Sequence, residues 1–195
     1  RKQAAGVLCE RIKEELVDLN FLQVDFRINM ARMNHMTANG FDEVEFCIST
    51  NLGSAPPRPL GEVASGGELS RIMLAIKTVL ADSDDIPTLI FDEIDAGISG
   101  RTAQKVSERL SYIAKKHQVL CITHLPQIAA MADTHFEIQK SVEDGKTVTK
   151  IHMLNHEEQV DELARLLGGA EITEKVRESA EEMKRLAEET KKRIQ

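Results

Sequence analysis

Asp92, Glu93 and Asp95 place three carboxylates within four residues, directly after the apolar run Thr88-Leu89-Ile90-Phe91. A strand that simply surfaces at two acids is common and requires no function. Three like charges this close repel one another, however, and a bound cation would relieve them. At the C-terminal end of a buried strand, where open α/β sheets bind their ligands, one carboxylate can hold Mg²⁺, commonly through water. Its neighbour can orient or deprotonate an attacking water. This functional reading of Asp92 and Glu93 is the one we favour.

Two further clusters carry chemistry. Ser65-Gly66-Gly67-Glu68 fits a capping box, with serine at the N-cap and glutamate at N3, each side chain satisfying a backbone N–H. A capping box does not need two glycines, which weaken a helix. Glycine does allow another molecule to approach the N–H groups at the positive end of a helix, which makes an anion site. Both readings stand on these residues alone. His124 comes just after the apolar run Val119-Leu120-Cys121-Ile122, so it is expected at the same sheet edge as Asp92 and Glu93. A lone histidine there is ordinarily a polar loop residue, and its order relative to the other clusters raises its interest.

The elements that must position these residues are readable from periodicity. Leu8, Ile12, Leu16 and Leu19 recur at steps of three and four, predicting an amphipathic helix that starts without a capping residue and so continues a longer chain. Leu22 to Met30 and Val44 to Ile48 alternate apolar with polar, predicting an antiparallel strand pair around Asn39-Gly40. Residues 51 to 61 hold Pro56, Pro57 and Pro59 and read as loop. Beyond them, helices through Leu69 to Leu80 and Ala103 to Ile113 alternate with the runs at 88–91 and 119–122. Runs apolar on both faces predict parallel strands covered on both sides, hence an α/β fold whose main sheet is mostly parallel and flanked by helices. A short helix through Ile128 and Met131 follows, then a hairpin turning at Asp144-Gly145. Helices through Val160 to Leu167 and from Thr173 onward close the chain, the last with a weak seam of Val176, Ala180, Met183 and Ala187.

The 195 residues carry a net charge of -7, so no bulk basic footprint for nucleic acid or anionic membrane exists. Apolar runs are too short to span a bilayer and no signal-peptide core is present at the start, which points to an intracellular protein. Cys9, Cys47 and Cys121 are widely spaced and odd in number, arguing against both a disulfide framework and a zinc site. His152 and His156 are four apart, but HEEQV lacks the second histidine of a metalloprotease helix. Ser65 and Ser70 lack both a local base and the GxSxG elbow of a hydrolase.

In order and spacing the three clusters resemble the C-terminal lobe of an ABC-type ATPase head: signature motif, Walker B, D-loop and switch histidine. The wording of ASGGELSRIMLAIK, FDEIDAGISG, THLPQIAAMADTHF and LARLLGG is similar to the RecN family of DNA repair proteins, which are SMC-like. The resemblance implies an α/β C-terminal lobe over residues 21–195, with an added antiparallel strand pair, and the end of a coiled-coil arm over residues 1–20. It implies that Ser65, Gly66, Gly67 and Glu68 face the γ-phosphate of ATP held by a second head in a homodimer. It makes Asp92 the Mg²⁺-linked aspartate, Glu93 the catalytic base, Asp95, Gly97 and Ser99 D-loop residues, and His124 the γ-phosphate sensor. It further implies double-strand break repair and recombination, contact with DNA through the full-length protein, and a bacterial cytoplasmic, nucleoid-associated location.

One departure is consequential. The P-loop GxxxxGK[ST] is missing: the only GKT, Gly145-Lys146-Thr147, has Lys140 where the first glycine belongs and follows a turn signal. The Q-loop is missing too. Both are expected in an N-terminal Walker A lobe, making this chain half of an active site and inactive alone. The alternatives are another SMC-like or ABC head, such as a transporter's nucleotide-binding domain, and a non-catalytic interaction fragment.

Overall fold

The computed structural model describes residues 1–50, 56–62, 65–143, 145–169 and 171–194. The chain forms two compact units, residues 1–98 with 113–122 and residues 99–112 with 123–195.

The first unit opens with helix α1, Lys2–Asp18, whose stripe buries Ile12 and Leu16. Strands β1, Asp25–Thr37, and β2, Gly40–Ser49, pair antiparallel across a two-residue loop, with Phe26 opposite Ile48 and Thr37 opposite Gly40. Gly40, the first residue of β2, has φ +97°, a left-handed backbone that suits glycine where the chain leaves such a loop. β1 runs well past the alternating stretch, through a register shift between Arg32 and Thr37. The loop expected at 51–61 is only partly one. Residues 51–55 lie outside the described residues, while Arg58–Pro59 forms a short strand β3 on the edge of β2, followed by a 3-10 turn at Leu60–Glu62. An edge strand tolerates proline because its outward side has no partner to supply. Helix α2, Gly66–Leu80, then leads to strand β4, Thr88–Phe91, which pairs in parallel with β5, Gln118–Cys121.

Helix α3, Gly100–Ile113, makes the connection between β4 and β5. The second unit also contains α4, Pro126–Ala129, the antiparallel hairpin of β6, Phe136–Glu143, and β7, Lys146–Met153, then α5, His156–Gly168, and α6, Glu174–Ile194. Asn155 and Glu158 form a full reciprocal capping box at the start of α5. The core joins Ala129 and Ala130 to Val160, Leu163 and Ala164 of α5 and to Ala180 and Ala187 of α6. The α6 seam is thus a packing face, and its alanines let the helices approach closely. The turn expected at Asp144-Gly145 falls partly outside the described residues, but Gly145 has φ +73° and Lys146 and Thr147 open β7. A P-loop leads into a helix, so this GKT is a hairpin turn.

The expectation of a mostly parallel sheet is overturned. Among the described residues the strands form an antiparallel sheet in the order β1-β2-β3, a parallel pair β4-β5 and an antiparallel pair β6-β7. The reason is connection length. Tight turns commit β1-β2 and β6-β7 to hairpins, whereas parallel pairing needs a crossover such as α3 provides between β4 and β5. Nor is the parallel pair covered on both faces. Leu89 and Phe91 are buried, yet Ile90 is 70%, Leu120 47% and Ile122 55% exposed. No helix among the described residues is long and apolar enough to cross a membrane.

Candidate functional site

The first unit holds the start of α2 directly against the acidic turn that follows β4. Ser65 caps the helix, its Oγ accepting from the N–H of Glu68 at 3.4 Å. A Cβ on Gly66 would lie 2.6 Å from Oε2 of Glu93, and one on Gly67 would lie 2.7 Å from Cβ of Ala96 and 2.9 Å from the carbonyl oxygen of Glu93. The two glycines therefore have a reason inside this chain: they let residues 93–96 pack on the helix end. Ser70 Oγ donates to the carbonyl of Asp92 at 2.9 Å. Arg71 Nη1 donates to the carbonyls of Ala96 at 2.8 Å and Ile94 at 3.4 Å, and its guanidinium stacks over the Phe21 ring, 5.6 Å from the centroid. Burial pulls the pKa of Arg71 down, with nearby Glu68 opposing it.

Asp92 and Glu93 are exposed at the end of β4, and Asp92 Oδ1 accepts from the N–H of Glu93 at 2.9 Å. Glu93 has φ +55°, a left-handed backbone that costs a non-glycine residue energy and collects at functional sites. The turn is held by N–H donation from Ala96 to the carbonyl of Glu93 at 3.0 Å and from Ile98 to that of Asp95 at 3.3 Å, with Gly97 at φ +74°. Asp95 is buried. The thiol of Cys121, at the end of β5, is pushed up to about 12 by burial first, then by the charges of Asp95 and Asp92. Among the described residues no group of three or more His, Cys, Asp or Glu could enclose a metal ion. An exposed carboxylate at a strand end still fits Mg²⁺, which is usually held by one or two carboxylates together with phosphates and water.

Ser65 to Glu68 and Asp92 to Gly97 are thus brought together, all within the first unit. Ser99 and His124 belong to the second unit. β4 and β5 end side by side, with Phe91 opposite Cys121 and the N–H of Ile122 donating to the carbonyl of Phe91 at 3.1 Å. Just beyond, the N–H of Leu125 donates to Oγ1 of Thr123 at 3.0 Å, and α4 begins at Pro126. Sequence reasoning missed Ser70 and Arg71 as ties on the acidic turn. Their one signal is position: polar residues within the turn that follows the glycines, between Leu69 and Ile72 of the apolar face.

Over 96% of its length the chain is 46% identical to the DNA repair protein RecN of Halalkalibacterium halodurans, and over 98% it is 41% identical to that of Bacillus subtilis. The chain is RecN-related. It spans about a third of those relatives, 34% and 36% of their lengths. No protein-family model matches it. In fold, 80% of this RecN-related chain is similar to 28% of the Smc head domain with coiled coil and joint from Pyrococcus yayanosii, with a TM-score of 0.54 and 22% identity. The Smc head domain with an extended coiled coil from Pyrococcus furiosus gives a TM-score of 0.51 at 22% identity, over 82% of this chain and 37% of that one.

Proposed function

We propose that this RecN-related chain is the C-terminal half of an ATP-binding and ATP-hydrolysing head, with residues 1–20 ending a coiled-coil arm and residues 21–195 forming the lobe. The observation that carries this reading is the lock between α2 and the 92–97 turn through Gly66, Gly67, Ser70 and Arg71. An anion-binding helix end and a pair of exposed acids are thereby held as one body, so that what binds at one can be felt at the other.

In this reading Glu93 orients and deprotonates the attacking water, and Asp92 holds Mg²⁺ through water. The ion, when bound, neutralises charge on the phosphates. Ser65, the N–H groups at Gly66 and Gly67, and Glu68 meet the γ-phosphate of ATP on a second head. Asp95, Gly97 and Ser99 shape the loop between heads, and His124 senses the γ-phosphate. The N-terminal part of the same polypeptide supplies the Walker A lobe. ATP then acts as glue between two heads, and hydrolysis releases it in the service of DNA break repair and recombination in the bacterial cytoplasm.

Glu93→Gln in the complete polypeptide is expected to retain ATP binding and to abolish turnover, measured by calorimetry and phosphate release. Turnover equal to that of the wild type would remove Glu93 from its role and this reading with it.

A further inference from the structure

Helix α6 carries a buried ammonium that the chemistry above does not use. Lys184 is 5% exposed, and its Nζ donates to the carbonyls of Ala130 at 3.2 Å and Ala132 at 3.1 Å. Two turns further along the same helix face, Lys191 Nζ donates to Oδ1 of Asp133 at 2.6 Å. Both grips fall on the residues that leave α4, and α4 begins two residues after His124. A helix of four residues has little stability of its own. The N–H groups of Ala130, Met131 and Ala132 donate to the carbonyls of Pro126, Ile128 and Ala129, and Lys184, from within a core of Ala129, Ala130, Ala180 and Ala187, holds the carbonyls of the segment that follows. Placing a lysine there is costly: burial drives its pKa down, the charge of Lys191 adds to this, and Glu188 and Asp133 oppose it. A methionine would fill the space without that cost, so the ammonium matters for what it binds.

We propose that Lys184, assisted by Lys191, is a positioning residue that clamps the segment after α4 and through it sets the placement of His124. This rests on the reading of His124 as the γ-phosphate sensor. The C-terminal helix then becomes part of the switch: whatever pulls on α6 alters turnover without touching nucleotide.

The test uses the complete polypeptide with Lys184→Met, Lys191→Ala, His124→Ala and both double variants with His124→Ala. Lys184→Met is expected to lower kcat for ATP by roughly tenfold, with KM within about twofold, because a misplaced group costs rate rather than affinity. Lys191→Ala is expected to act in the same direction and less strongly. In the His124→Ala background neither lysine change should lower kcat further, since residues that act through one another are non-additive. Additive losses, or unchanged turnover in the lysine variants while His124→Ala is impaired, would overturn the clamp. If His124→Ala itself turns over ATP normally, the sensor reading fails instead. Should Lys184→Met lower the melting temperature enough to unfold the protein, Lys191→Ala, whose partner Asp133 is exposed, decides the question alone.

Discussion

At Gly67 a methyl group has nowhere to go. Its Cβ would meet Cβ of Ala96 at 2.7 Å, the carbonyl oxygen of Glu93 at 2.9 Å and that of Ala96 at 3.2 Å, none of which can swing aside. Gly67→Ala must therefore push the acidic turn away, at a cost of about 1–3 kcal/mol from overpacking, offset in part by a helix-propensity gain of up to about 1 kcal/mol. Gly66 differs, because among the described residues the atoms close to its Cβ belong to the flexible end of Glu93, with Oε2 at 2.6 Å. Gly66→Ala is expected to leave the melting temperature of this chain unchanged and to displace the Glu93 carboxylate, lowering ATP turnover in the complete polypeptide. Thermal melting separates the two variants. A Gly67→Ala protein that melts with the wild type would mean that the turn does not press on the helix end, and the lock between the two clusters would be lost. The glycines that sequence left divided between capping and phosphate are in this way already explained by packing, and the proposed anion role would be an additional demand on the same residues.

At the level of elements, period was informative and pairing was not. The 3.6-residue stripes of α1, α2, α5 and α6 and the alternation in β2 put helices and strands where they are found, because burial of one face is a local property of the sequence. The apolar runs of β4 and β5 announce that both faces are to be buried, but not by what, and in this chain one face of the pair is bare. Pro59 reads as a loop residue because sequence does not say that its strand lies on an edge. Within the candidate site, Ser65 to Glu68 and Asp92 to Asp95 could be singled out because chemical groups cluster along the chain, and the structure packs the two clusters together. Arg71 and Lys184 were not, since a single cation in a helical pattern reads as solvated face until tertiary packing closes over it. His135, just ahead of β6, belongs to the same hidden class. Its pKa is lowered by burial, with Glu162 opposing and Lys184 reinforcing, and its Nδ1 is buried without a hydrogen-bond partner among the described residues. The unfolded chain then takes up a proton near pH 6.5 that the folded chain resists, so stability is fully present above about pH 6.5 and declines as pH falls toward the lower folded value. His135→Leu should flatten the dependence of urea midpoint on pH as pH falls below about 6.5. A slope identical to the wild type would assign that window to other groups.

Across the whole molecule, each unit leaves one apolar sheet face open. In the first unit it is Ile90, Leu120 and Ile122, and in the second Phe136 and Ile138 of β6, paired with Met153 and Ile151 of β7. A bare face of this kind signals a surface that is covered in use, and the RecN proteins that resemble this chain are about three times as long. If the rest of such a polypeptide lies on the β4-β5 face, one substitution should read differently in two contexts. Ile90→Lys in the present chain changes an exposed side chain and should shift stability by no more than about 0.5 kcal/mol. In the complete polypeptide the same lysine would be an unpaired charge inside an apolar interface, costing on the order of 3 kcal/mol. Denaturant melts of both proteins, with and without the substitution, give the comparison directly. Equal and small effects in the two would leave the face uncovered in the complete protein. A large loss confined to the longer one would show that another part of that polypeptide covers the β4-β5 face, beside the turn that carries Asp92 and Glu93.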